Sequence, residues 1–249
     1  MASVEPARPG GVKTGLAAGV LGIVIGGAAM ALWVQGRGGT ASDEQVGETV
    51  RAYLLEHPEV IPEAMQRLQE REAGKIVSAN RAAYETPFAG AWAGAQDADV
   101  VLVEFFDYAC GYCRKSNADV DRLLAEDKKL KVVWREWPVL GPDSERAAQV
   151  SLAAAKEGRF RDYFHRLYAL GRPSESTINQ AAAAAGVSPQ RIAEMAGSAE
   201  AKNELGKNFQ LAQALNASGT PTFIVGDRVL HGAVGYDELK KAVGEARES

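Results

Sequence analysis

The chain of 249 residues is long enough for one full domain with additional segments, and its 46% hydrophobic and 24% charged residues are those of a globular protein. A formal net charge of −4, with no basic run, gives no footprint for nucleic acid. Only two cysteines are present, which excludes a disulfide-stapled scaffold and leaves the single pair Cys110 and Cys113 for chemistry.

Residues 1–14 are short and polar, with Arg8 and Lys13. Residues 15–34 then carry no charge, enough for roughly 30 Å of helix. Two readings compete: an uncleaved membrane anchor, or a signal peptide cut at Ala29-Met30-Ala31. The anchor is preferred, because a 20-residue core exceeds a usual signal segment and the cut would fall inside it. The flanking cations place residues 1–14 in the cytoplasm, so the remainder is exported. Gly15, Gly19, Gly22 and Gly26 lie on one face, either as a close helix-packing stripe or as ordinary membrane-segment composition.

Residues 35–42 are a glycine-rich linker. Ser42-Asp43-Glu44-Gln45 has capping-box form, and Val46, Val50, Tyr53 and Leu54 follow at helical spacing. His57-Pro58 interrupts this helix. A second begins near Pro62 and carries Ile61, Met65 and Leu68, then a charged stretch to about Tyr84. The two apolar stripes of residues 43–86 need a partner, either copies of the chain or the domain that follows.

Residues 100–106 form a continuous apolar run that predicts a buried strand. It leads into Glu104-Phe-Phe-Asp-Tyr-Ala-Cys110-Gly-Tyr-Cys113, after which Ala118, Leu123 and Leu124 recur at helical spacing. Cys110 therefore opens a helix, where free N–H groups and the dipole favour a thiolate. Cys113, three residues on, lies about 5–6 Å away on the same face, a spacing that suits a disulfide. Cys110 is predicted as the exposed attacking sulfur and Cys113 as its shielded resolving partner. Glu104 sits inside the apolar strand: buried, it has a raised pKa and exchanges a proton with Cys113; at a strand edge, it faces solvent. Asp107 reads as a turn or capping residue. Tyr108, Gly111 and Tyr112 surround the thiols, the tyrosines either as a docking rim for substrate or as cover for the core. No metal site is expected, because His57, His165 and His231 are scattered and no second Cys-x-x-Cys exists.

Residues 130–137 predict a second strand, ended by Pro138. Residues 145–215 are helical and alanine-rich, punctuated by Gly158, Gly171, Gly186 and Gly197. Residues 222–225 and 228–231 flank Gly226-Asp227 as a hairpin, and a terminal helix follows Gly235 with Leu239, Ala242 and Val243 inward.

Phe105-Phe106, the Cys110-x-x-Cys113 pair and the distant Thr220-Pro221-Thr222-Phe223 resemble the DsbA branch of thioredoxin-fold disulfide oxidoreductases over roughly residues 97–246. The resemblance implies an α/β thioredoxin-like fold with a helical insertion at about 143–215, within a domain spanning 87–249. It also implies a cis Thr220–Pro221 peptide lying against the cysteines, where the adjacent backbone binds an extended substrate. No cofactor is implied beyond the redox-active Cys110–Cys113 pair. Residues 50–64 resemble the N-terminal region of the ScsC copper-sensitivity group, which implies a homo-oligomer formed through residues 43–75. The dipeptide Gly111-Tyr112 differs from the Pro-His of the strongest oxidant of the family and resembles the disulfide isomerases. The expected activity is that of an oligomeric isomerase or reductase acting on exported client proteins, reset by a membrane or periplasmic redox partner. Its expected place is the periplasmic side of the bacterial inner membrane, or the periplasm itself after cleavage. A monomeric oxidase and a Cu(I)-handling protein using both thiols stand as alternatives.

Overall fold

The structure, a computed structural model, describes residues 42–248. The expected cytoplasmic segment 1–14, the anchor 15–34 and nearly all of the linker 35–42 lie outside the described residues. No helix among the described residues is long and apolar enough to cross a membrane.

The described residues divide into two units, the first ending at Glu63 and the second beginning at Ala64. In the first, α1 (Asp43–Glu56) begins at the expected capping box. The Ser42 hydroxyl accepts the Gln45 N–H at 3.3 Å, and Gln45 Oε1 accepts the Ser42 N–H at 3.2 Å. His57 caps the other end by donating its N–H to the Tyr53 carbonyl. Val46, Val50, Tyr53 and Leu55 are all exposed, and α1 buries no residue.

Helix α2 (Val60–Ala79) stops at Asn80 and is followed by the short α3 (Arg81–Glu85). Val77 and Tyr84 are fully buried with the sheet residues Val103, Phe105, Val133 and Ile224, so these helices belong to the second unit's core.

That unit is built on five strands: β1 (Trp92–Gly94), β2 (Val100–Phe106), β3 (Leu130–Glu136), β4 (Thr222–Val225) and β5 (Arg228–His231), in the order β1-β3-β2-β4-β5. Strands β2 and β3 are parallel and joined through α4 (Gly111–Glu126); the remaining pairs are antiparallel. Alternation sends Leu102, Phe106, Val132 and Trp134 to one core and Val103, Phe105 and Val133 to the other. Burial on both faces explains why β2 reads as an unbroken apolar run. The edge strand β1 has no counterpart in the sequence reading, since three residues, Trp-Ala-Gly, carry no measurable period.

Between β3 and β4 lie α5 (Pro142–Lys156), α6 (Phe160–Leu170), α7 (Glu175–Ala185), α8 (Pro189–Met195) and α9 (Ala199–Ala214). Gly186 ends α7 in the left-handed region, at φ 73°, which its missing side chain permits. The chain closes with α10 (Tyr236–Glu248), whose Leu239, Ala242 and Val243 face inward as expected. In α4 the expected inner position Ala118 is exposed; the buried face is instead Cys113, Ser116, Asn117, Val120 and Leu123. The reason is the starting point: the helix begins at Gly111, so Cys113 sets the phase of its inner stripe.

Arg135 holds the second core together from within. It is 1% exposed, yet its guanidinium is saturated by the carbonyls of Ala83 at 2.6 Å, Thr86 at 2.7 Å and Tyr84 at 2.8 Å, and by Asn208 Oδ1 at 2.9 Å. Glu204 supplies the countercharge at 3.3 Å. The carbonyls at the end of a helix lack intrahelical partners, and a buried cation completes them here.

Candidate active site

The site lies where β2 hands over to α4. Asp107 to Cys110 form a turn closed by the Cys110 N–H donating to the Asp107 carbonyl at 3.0 Å. Cys110 is the N-cap of α4, and its sulfur accepts the Cys113 N–H at 3.4 Å. The late chain comes to the same place: the Cys110 thiol donates to the Thr220 carbonyl at 3.2 Å, and the Thr220–Pro221 peptide is cis. Both cysteines are free thiols.

The two sulfurs are driven apart in acidity. Cys110 is held down to about 5, chiefly because the Cys113 thiol donates to it; burial opposes this, while the Thr220 side chain and the N–H groups of Cys113 and Tyr112 assist. Cys113 is fully buried and its pKa is pushed far up, first by that burial, then by its own donation to Cys110 and by the nearby Glu104 charge.

Glu104 is fully buried rather than placed at a solvent-facing edge. Its Oε2 accepts the Trp134 indole N–H at 2.9 Å, while its Oε1 has no partner. Desolvation raises its pKa to about 8 against the lowering effect of the Trp134 bond, with the Asp121 and Cys110 charges adding to the rise. A carboxyl group that titrates near neutral pH beside a buried thiol has the chemistry of a proton acceptor.

Two expectations need correction. Cys110 is only 6% exposed, because Thr220 lies across it from the other side of the site; it remains the more accessible of the two sulfurs. Tyr108 is not part of a substrate rim. It is 1% exposed, bonds the Ser151 hydroxyl at 2.8 Å and packs edge-on against Phe106, Tyr163 and Phe164. The strand's alternation ends at Phe106, and the turn swings Tyr108 inward. Tyr112, by contrast, is 68% exposed, and Gly111 beside it has open space where a Cβ would stand.

Two buried acids gave no clear sequence signal. Asp107, expected as a turn residue, accepts four hydrogen bonds through its carboxylate. Glu136, two residues after Trp134, is buried with one oxygen unpartnered and a pKa raised well above the carboxylate range by desolvation. Among the described residues no three His, Cys, Asp or Glu side chains converge as a metal site.

Sheet order, thiol pair and the bent Thr220–Pro221 peptide together define a thioredoxin-fold thiol:disulfide oxidoreductase. More specifically, the chain belongs to the DSBA-like thioredoxin domain family, whose model matches residues 101–244. The copper resistance protein ScsC N-terminal domain model matches residues 44–75. A thioredoxin-like oxidoreductase from Silicibacter pomeroyi is 34% identical with a TM-score of 0.65, over 68% of this chain and 99% of that one. The catalytic domain of Proteus mirabilis ScsC is 26% identical with a TM-score of 0.63, over 71% of this chain and 99% of that one. Disulfide bond formation protein D of Bacillus subtilis is 26% identical over 60% of this chain and 73% of its own length. The Na(+)/H(+) antiporter NhaA 3 of Salinispora tropica is 29% identical over 61% of this chain, which spans only 24% of that much longer protein.

Proposed function

We propose that the protein is an oligomeric disulfide isomerase or reductase acting on exported proteins, with Cys110 as nucleophile and Cys113 as resolving thiol. The observation that carries this reading is geometric: Cys110 caps the start of α4 with its sulfur accepting the Cys113 N–H at 3.4 Å, while Cys113 lies fully buried beneath it.

The Cys110 thiolate attacks one sulfur of a client disulfide, forming a mixed disulfide and releasing the other client sulfur as a thiolate. In isomerisation a second client thiolate attacks the client sulfur of that mixed bond. A new client disulfide forms and the Cys110 thiolate is returned, with no net oxidation. In reduction, Cys113 gives its proton to ionised Glu104 and attacks Cys110. The client leaves reduced, and the Cys110–Cys113 disulfide is reset by a dithiol partner. Thr220 and Pro221 lie where an extended client would pass, with Gly111 and Tyr112 as the exposed flank.

The direction rests on the Gly111-Tyr112 dipeptide between the cysteines, which puts no imidazolium beside the Cys110 thiolate. A less stabilised thiolate moves the couple away from the oxidising end of its range. The match to the ScsC N-terminal domain and the exposed apolar side chains of α1 and of early α2 support association of copies. The uncharged run of residues 15–34 supports export and membrane attachment.

Reactivation of a scrambled multi-disulfide protein tests the proposal. The full chain is expected to restore activity catalytically, and Cys110→Ser to restore none. Efficient oxidation of reduced clients without reactivation, by a monomeric protein, would establish the oxidase reading instead. Stoichiometric Cu(I) retention with negligible exchange would establish the copper reading.

A further inference from the structure

Asp107 occupies an unusual position for a turn residue. Its Oδ1 accepts the Ala109 N–H at 2.7 Å and the Ser144 hydroxyl at 2.6 Å. Its Oδ2 accepts the N–H groups of Val139 at 2.8 Å and Leu140 at 2.9 Å. Its carbonyl receives the Cys110 N–H at 3.0 Å and the Tyr168 hydroxyl at 2.9 Å. Six donors thus converge on one residue that is 1% exposed. They come from the thiol turn, the loop after β3, the first turn of α5 and the last turn of α6.

A surface Asx turn needs only the first of these bonds. The other three carboxylate bonds join the thiol turn to a segment more than thirty residues away. We propose that Asp107 is a positioning residue for thiol exchange: its carboxylate pins the turn carrying Cys110 to the loop that opens the helical insertion. This holds the sulfur against the N–H groups at the start of α4. The inference rests on the thiol-exchange reading and deepens it.

Two effects of removing the carboxylate oppose each other, so the sign of the outcome is informative. If Asp107 acted only as a charge, its loss would favour the Cys110 thiolate, since a nearby anion disfavours another. If it positions, its loss frees Ala109 and the Val139–Ser144 loop. The sulfur then drifts from its N–H donors and the thiolate is disfavoured. The titratable groups around the two sulfurs are Cys113 on α4, Glu104 on β2 and Tyr168 on α6, and the Asp107 charge itself bears on the buried Glu136 of β3. All of these groups other than Asp107 are retained in the variants below.

The test is the pH dependence of Cys110 alkylation by iodoacetamide in the full-length reduced protein, read by mass, with denaturant unfolding alongside. Asp107→Asn is expected to remain cooperatively folded, to move the alkylation midpoint up by about one pH unit and to slow the reaction below pH 5 by about tenfold. A folded variant with an unchanged or lowered midpoint would overturn the proposal. Should Asp107→Asn fail to fold, Ser144→Ala removes one donor and keeps every charge. It is expected to move the midpoint in the same direction, with a twofold to threefold slowing of alkylation below pH 5. An unmoved midpoint in Ser144→Ala would then be the contrary result. A wild-type Cys110 that is itself protonated at neutral pH would instead sink the underlying exchange reading, whatever the variants do.

Discussion

Cys110 and Cys113 carry opposite burdens, and substitutions should separate them. Cys113→Ser leaves the attacking sulfur in place but removes its resolver, so client adducts should accumulate as mixed disulfides visible on non-reducing gels. Cys110→Ser should give none. Glu104 connects this chemistry to stability. Its carboxyl group titrates at about 8 in the fold, against roughly 4.3 in an unfolded chain. The folded state therefore binds the extra proton between those values, and stability falls as pH rises through that window. Glu104→Gln should flatten this slope and stabilise the protein at pH 7.5 by about 2 kcal/mol, measured by urea unfolding at several pH values. The same change should slow resolution of mixed disulfides and abolish its rise with pH near 8, because the amide accepts no proton from Cys113.

The strands and helices show how unequally structure is written along the chain. Strand β2 and the hairpin β4–β5 fall on the residues expected for them, because a buried strand needs a run of β-branched and aromatic residues and a turn needs Gly-Asp. The start of α4 at the thiol pair was equally legible from the switch between strand and helix periodicity. Strand β1 was not, being an edge of three residues. The inward turn of Tyr108 was invisible because alternation says nothing once the strand has ended. Arg135 and Asp107 were unreadable for another reason. Each looks like an ordinary charged residue, and these partners arrive from 32 to 73 positions away. Arg135→Met keeps much of the volume but orphans three carbonyls and Glu204. A loss of about 3 kcal/mol in unfolding free energy is expected, with thiol acidity unaffected.

For the molecule as a whole, the proposed isomerase activity requires several thiol sites to meet one client, and the exposed apolar residues of α1 and α2 are the proposed means. Val50→Asp combined with Ile61→Asp, both at exposed positions, should reduce the solution mass to that of a monomer. Isomerase activity should fall with it, while simple thiol reduction is retained; an unchanged mass would remove α1 and α2 from that role. Everything nevertheless depends on the state of a single sulfur. Titration of the Cys110 thiolate by its ultraviolet absorbance in the reduced full-length protein tests that most directly. A midpoint near 5 is predicted, and a midpoint near the roughly 8.5 of an ordinary cysteine would contradict the account.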